Sequence, residues 1–373
     1  MKPIRTRTII AVVAGASLLF VAACVWVGGF LAAAVPSEPG PMPRDPPVEA
    51  VSFVSGSGST IHGWYARGRE GGGAIVLMHG VRANRTQLLP RARFLWKAGY
   101  SVLLFDFQAE GESPGNHITF GYLESRDVRA AVGYMRSRLP SERLGGLGTS
   151  LGGAATLIGP QPAGFDALVL EAVYPTFPEA VEDRIRIWLG PLAGVLAPCL
   201  LMQVRPRLGF SPHELRPIDG IPRVGAPVLI VAGAEDRHTT PAESRRLFEA
   251  ARPPKEFWLV PGAAHIDFHL HAGAEYEKRI LSFFDAFLRR PATGPRIEHR
   301  NVFRCHQDAS RETTRGCLVA SRVCALPDRS TGPPAQSRHG RAARGRREFS
   351  SRRPGREGFR HGASWPPSSL PAR

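Results

Sequence analysis

Between residues 48 and 294, short apolar runs alternate with longer stretches whose apolar positions recur at helical spacing. Residues 74–78 are uninterrupted Ala-Ile-Val-Leu-Met, the pattern of a strand covered on both faces. Residues 101–107, 144–148, 166–172, 226–232 and 256–260 repeat that short, apolar character. Between them, residues 88–98 carry Leu89, Phe94 and Leu95 as one stripe, and residues 122–137 carry Val128, Ala131, Val132 and Met135. Residues 241–251 open with proline at the first helical turn, and residues 275–289 place Ile280, Leu281, Phe284 and Phe287 on one face. Residues 48–55 and 60–66, separated by Gly56-Ser57-Gly58, read as an antiparallel pair at the start. Strand–helix alternation of this kind predicts an α/β fold, a mostly parallel central sheet with helices on both faces. Residues 175–222 break the rhythm with several prolines and two helical patches, 177–189 and 195–204. They are expected to form a small helical cap over the carboxyl edge of the sheet.

Both ends depart from this pattern. Lys2, Arg5 and Arg7 precede an uncharged stretch over residues 8–35, longer than the ~20 residues that cross a bilayer core. The flank beyond it is not basic, so the positive-inside rule places everything after Pro36 outside the cytoplasm. Residues 1–35 are therefore expected to be an uncleaved transmembrane anchor, with the body extracytoplasmic in a bacterial cell envelope. Val21-Ala22-Ala23-Cys24 resembles a lipoprotein cleavage box, and lipoprotein processing or ordinary signal cleavage with secretion are the alternatives. Residues 36–47 (PSEPGPMPRDPP) read as a stiff Pro-rich linker holding the body off the membrane.

Charge changes the picture only at the far end. The chain carries a net +16, but residues 36–294 hold 28 basic and 26 acidic groups. Residues 295–373 hold 17 Arg against 6 acids and lose all periodicity, which predicts a basic disordered tail. It reads as a tether to anionic surfaces or as the product of a shifted reading frame. The high pI therefore gives the folded body no nucleic-acid character. Five cysteines, none in a C-x-x-C pair, exclude a disulfide scaffold and a thiolate metal site.

Candidate chemistry lies at the ends of the apolar runs. Gly148-Thr149-Ser150-Leu151-Gly152 fits G-x-S-x-G between a strand and a helix, where a tight turn exposes the serine. Alone, the pentapeptide is weak in a chain with 40 glycines. His79-Gly80 closes the 74–78 run and makes the Val81 N–H a candidate oxyanion donor beside that of Leu151. Asp236 follows the 226–232 run, with Glu235 as the adjacent alternative acid, and His265 follows the 256–260 run. Ser150, Asp236 and His265 thus stand in the chain order of a hydrolase triad, each at a strand's carboxyl end. His238, His269 and His271 read as surface or lid residues, and His62 and His79 as structural. A metal site built from His265, Asp267, His269 and His271 is disfavoured because His265 is already committed. Arg82, Asn84 and Arg85 read as anionic-substrate contacts or as partners of nearby acids.

The segments HGVRANR, FDFQAEGES, GTSLGGA, GAEDRHTTP and PGAAH carry a resemblance to the α/β-hydrolases, in particular the bacterial serine-aminopeptidase-like (BEM46-like) group. It covers about residues 50–290 and is specific for the superfamily rather than for a substrate. It implies an α/β-hydrolase fold without cofactor or metal, acting on a small-molecule acyl substrate. The implied reaction cleaves an ester, thioester or small amide through an acyl-enzyme on Ser150. Acyl transfer or peptidase action by the same triad, and a non-catalytic binding protein, are the alternatives. One departure stands out: many relatives read D-x-R-G-H-G-x-S where this chain has Asp106 to Ser113 as DFQAEGES, which questions loop packing more than catalysis.

Overall fold

The computed structural model describes residues 4–289; the expectation for residues 295–373 falls outside them. The chain opens with α1 (Ile4–Ala32), followed by a two-residue strand β1 (Val35–Pro36). Strands β2 (Glu49–Val54), β3 (Thr60–Ala66) and β4 (Ala74–Met78) lead to α2 (Leu89–Lys97). Then come β5 (Ser101–Phe105), a short β6 (Glu110–Gly111), α3 (Glu124–Arg138), β7 (Leu144–Thr149), α4 (Leu151–Leu157) and β8 (Ala167–Glu171). The interposed helices are α5 (Phe177–Leu189), α6 (Ala193–Leu201), α7 (Val204–Leu208) and the single turn α8 (Pro217–Gly220). Strand β9 (Val228–Gly233), α9 (Pro241–Ala250), β10 (Lys255–Val260) and α10 (Phe268–Leu288) complete the described chain.

Eight strands form one sheet in the order β10-β9-β8-β7-β4-β5-β3-β2. Only β2 against β3 and β3 against β5 run antiparallel, so the opening pair matches the sequence pattern. Successive side chains on a strand point to opposite faces, and the core divides accordingly. Val76, Leu103, Phe105, Leu170 and Ile230 pack on one face; Ile75, Leu77, Leu104, Val169 and Val231 pack on the other. Helices cover both faces, which is why the central strands are apolar throughout instead of alternating.

Two local expectations change. The last helix begins at Phe268, seven residues before the apolar period becomes visible, because Asp267 caps it by accepting from His269 N and Leu270 N. Gly273, at φ 52°, then kinks it, and the regular stripe starts beyond the kink. The Pro-rich stretch is not a free spacer. Val35 N donates to Ala109 O at 2.7 Å and Ser37 N to Gly111 O at 2.9 Å, pairing β1 with β6. Further along, Pro46 is buried, Asp45 pairs with Lys97, and Arg93 Nε donates to the Asp45 carbonyl. The stretch runs along the body and holds the end of α1 against it.

Within α1, residues 8–23 are exposed on every side, and contact with the body begins at Cys24. By length and composition the Thr8–Ala32 segment is sufficient to cross a bilayer.

Candidate active site

Ser150 sits on the turn between β7 and α4 with φ 50° and ψ −109°, a conformation an L-residue holds only under constraint. The constraint comes from both sides. Ser150 N donates to the Glu171 carbonyl of β8 at 2.7 Å, and α4 presses against the end of β4. At Gly152 an added Cβ would lie 2.2 Å from the Met78 carbonyl oxygen and 2.7 Å from that of His79, so only glycine permits this approach. The same approach sets the start of α4 beside the loop that carries Val81. Gly152→Ala is therefore expected to cost about 1–3 kcal/mol in thermal denaturation. Hydrolytic turnover should fall on the order of 100-fold, because the displaced backbone carries Ser150 and the Leu151 N–H.

Asp236 follows β9 and is 3% exposed. Its Oδ1 accepts from His238 N at 2.8 Å and Thr239 N at 3.0 Å, which aims Oδ2 at His265 Nδ1, 2.8 Å away. A carboxylate only accepts, so Nδ1 carries a proton, and in the neutral ring that tautomer leaves the Nε2 lone pair free. Glu235 is exposed and has no part in this contact. Ser150 is buried, and among the described residues its hydroxyl makes no hydrogen bond, to His265 or any other group. Bonds of that kind commonly tighten only around substrate.

The remaining histidines separate by their surroundings. His79 is fully buried; its Nε2 accepts from Phe107 N at 3.1 Å and its Nδ1 donates to the Gly80 carbonyl at 2.7 Å, so both nitrogens serve the loop. Burial holds it below the usual histidine range. His269 meets Glu277, His271 meets the Pro261 carbonyl, and Asp267 turns to Arg91, so these residues do not converge on a metal. His238 is different: its ring lies 5.1 Å from that of His265, and it lines the same cavity as Ser150. Burial, and then the neighbouring His265, lowers its pKa and favours the neutral ring.

That cavity has a volume of about 500 Å³, within the usual range for small-molecule sites. Ser150, Leu151, Val81 and Arg82 form its floor, and α5, α6 and α7 supply most of its apolar wall. The Leu151 N–H is the first of α4, one of the donors a helix leaves without an internal partner. Of the charged residues after Val81, Arg85 is committed to Asp106 (2.6 Å) and Glu112, both on the divergent DFQAEGES loop. Asn84 caps the turn that follows it and reaches Ser37 Oγ. From the same loop Glu110 accepts from Arg82 N and holds the Val81–Arg82 backbone. Burial, with Glu124 nearby, pushes the Glu110 carboxyl up to about 9.

A buried network behind the elbow escaped the sequence reading. Arg91 of α2 contacts Glu171 Oε2 at 3.0 Å, Asp267 at 3.0 Å and Tyr276 Oη at 2.8 Å. Glu171 also accepts from Thr149 Oγ1 at 2.9 Å and from Tyr276 Oη. Burial works against the Arg91 charge, but Glu171, Tyr276 and Asp267 outweigh it and hold the guanidinium protonated. The strand ends that carry Ser150 and His265 are tied together through this cluster.

An eight-stranded, mostly parallel sheet with a strained serine turn and a buried aspartate paired with a histidine at its strand ends defines a class, and the comparisons agree with it. Residues 70–215 match the family described as serine aminopeptidase, S33, a segment that includes Ser150 but neither Asp236 nor His265. The uncharacterized protein Rv2307c of Mycobacterium tuberculosis (strain H37Rv) is 32% identical over 217 residues, covering 56% of this chain and 69% of that protein. The uncharacterized protein YqkD of Bacillus subtilis (strain 168) is 24% identical over 244 residues, covering 64% and 80%. Among solved structures, the Pyrococcus furiosus esterase Pf2001 superposes with a TM-score of 0.55 at 21% identity, over 69% of this chain and 98% of its own. The α/β hydrolase GrgF of a Penicillium species gives 0.51 at 19%, over 65% and 99%. The chain belongs to the α/β-hydrolase superfamily. It is a hydrolase of α/β fold, with an apolar N-terminal helix long enough to act as an anchor.

Proposed function

We propose that the protein is a serine hydrolase that cleaves an acyl ester or thioester through an acyl-enzyme on Ser150, anchored to a membrane by α1. The observation that carries this reading is the strained Ser150 turn opening on an apolar cavity, with the 2.8 Å Asp236–His265 pair at strand ends of the same sheet and the His265 ring 5.1 Å from that of the cavity-lining His238. In the proposed reaction Ser150 Oγ attacks the acyl carbonyl as His265 Nε2 takes its proton. Asp236 keeps the imidazole in the tautomer that leaves Nε2 unprotonated. The N–H groups of Val81 and Leu151 stabilise the oxyanion. His265 then returns the proton to the leaving oxygen or sulfur, and water, activated the same way, releases the acid.

Esters are favoured over peptides with a free amino terminus by the cavity's charge. Its lining includes Arg82, Arg184 and Arg207 and, among the described residues, no Asp or Glu to anchor an ammonium group. A panel of p-nitrophenyl acetate, an acyl thioester and an alanyl p-nitroanilide tests this. The expected result is turnover of the first two at least about 100-fold faster than of the third, a loss typical of an unpaired buried charge. Preference for the anilide would overturn the ester reading and favour an aminopeptidase.

A further inference from the structure

The end of α1 is a wall of the cavity: Val27, Gly28, Leu31 and Ala32 line it, facing α5 to α7 and the Ser150 floor. The contact is built, not incidental. Gln203 Nε2 donates to the Cys24 carbonyl at 2.9 Å, Arg207 Nη2 to the Val25 carbonyl at 2.9 Å, and Arg82 Nη1 to the Phe30 carbonyl at 3.1 Å. Gly28 and Gly29 admit these side chains; an added Cβ would lie 2.5 Å from Gln203 and 2.9 Å from Arg207 respectively. Just beyond, Ile118 N donates to the Ala32 carbonyl at 2.9 Å and β1 joins β6, so the body cannot swing away from the helix end.

Helix geometry then fixes the depth of the cavity. At 1.5 Å per residue, ~20 residues cross the ~30 Å hydrocarbon core, so a span entered at Thr8 leaves it near Val27. That is where the cavity wall begins. The surface flanking this point is apolar as well. Trp188, Leu192, Val195 and Met202 of the α5–α6 region are 84, 60, 67 and 78% exposed, continuous with exposed Trp26 and Phe30 on α1. Exposed apolar side chains beside a membrane-crossing helix fit the acyl–headgroup boundary and are costly in water.

We infer that the α5–α6 face is seated in the bilayer surface and that the cavity draws its substrate, an ester or thioester of a long acyl chain, laterally from the lipid. This rests on the serine-hydrolase reading above and adds the substrate class and the route of entry. The occupant of the face is lipid because the face is continuous with the membrane-length helix that lines the same cavity.

The test uses the full chain in phosphatidylcholine–phosphatidylglycerol vesicles, with p-nitrophenyl acetate in the water and 4-methylumbelliferyl palmitate dissolved in the bilayer. The variant combines Leu192→Glu, Val195→Glu and Met202→Glu, none of which lines the cavity. Palmitate turnover is expected to fall about tenfold or more as three apolar contacts with lipid are lost, with acetate turnover unchanged. Acetate turnover doubles as the folding control. Unchanged palmitate turnover would overturn the inference, and so would an equal loss on both substrates. A variant that only turns a detergent-solubilised dimer into a monomer, with palmitate turnover intact, would assign the face to a second copy and overturn it too. A wild-type chain that hydrolyses neither ester would instead sink the serine-hydrolase reading itself.

Discussion

The Ser150→Ala protein is expected to hydrolyse p-nitrophenyl acetate at least about 10⁴-fold more slowly than the wild type, the scale on which loss of a serine nucleophile removes catalysis. Its melting temperature should stay within about 2 °C, because a change below about 0.5 kcal/mol moves a domain of this size by no more than that. Stability is expected to survive because the fold makes no use of the hydroxyl. The elbow is held by the Ser150 N–H to Glu171 bond and by the approach of Gly152 to β4, both of which alanine retains. Alanine also accepts the positive φ as well as serine does. Turnover and a melt on one sample separate this outcome from unfolding. Retained turnover would remove Ser150 from the reaction.

Arg91→Met, by contrast, should lower stability far more than its place on an outer helix suggests. The guanidinium is 2% exposed and neutralises Glu171, 1% exposed, at the end of β8. Methionine matches its length but leaves the Glu171 carboxylate buried with only hydroxyl partners, Thr149 and Tyr276. Breaking a buried pair from one side costs about 3–5 kcal/mol. In a body of this size that is a drop of about 6–20 °C in melting temperature. Turnover should fall as well, since Thr149 precedes Ser150, the Glu171 carbonyl holds the Ser150 N–H, and Asp267 lies two residues from His265. A double variant, Arg91→Met with Glu171→Leu, should recover much of the stability by removing the stranded charge. No recovery would show that the arginine acts through packing alone.

The parts of this protein that its sequence discloses are those whose signal is local. Residues 74–78 must be apolar throughout because both faces of β4 are covered, and the period of residues 124–138 follows from one buried face of α3. Ser150, Asp236 and His265 are legible because each follows an apolar strand run in the chain order of a hydrolase triad. Whatever depends on long-range placement is not legible. Arg91 looks like a solvated charge on an amphipathic helix until α10 and β8 close over it. His238 reads as a surface or lid residue because nothing nearby in sequence shows that its ring meets His265 and the cavity. The linker's prolines suggest stiffness, but its hydrogen bonds are made to Ala109 and Gly111, more than seventy residues away. The apolar leader is long enough to cross a membrane, and only the fold reveals that its last turns also wall the cavity.

The central claim is that Ser150 is a nucleophile activated by His265 and Asp236. Its most direct test is the site of covalent capture by a fluorophosphonate, read from the intact mass and from peptide mass mapping of the full-length protein. The predicted result is a single adduct on Ser150, absent in Ser150→Ala and formed far more slowly in His265→Ala. An adduct on another residue, or a folded protein that takes none, would contradict it.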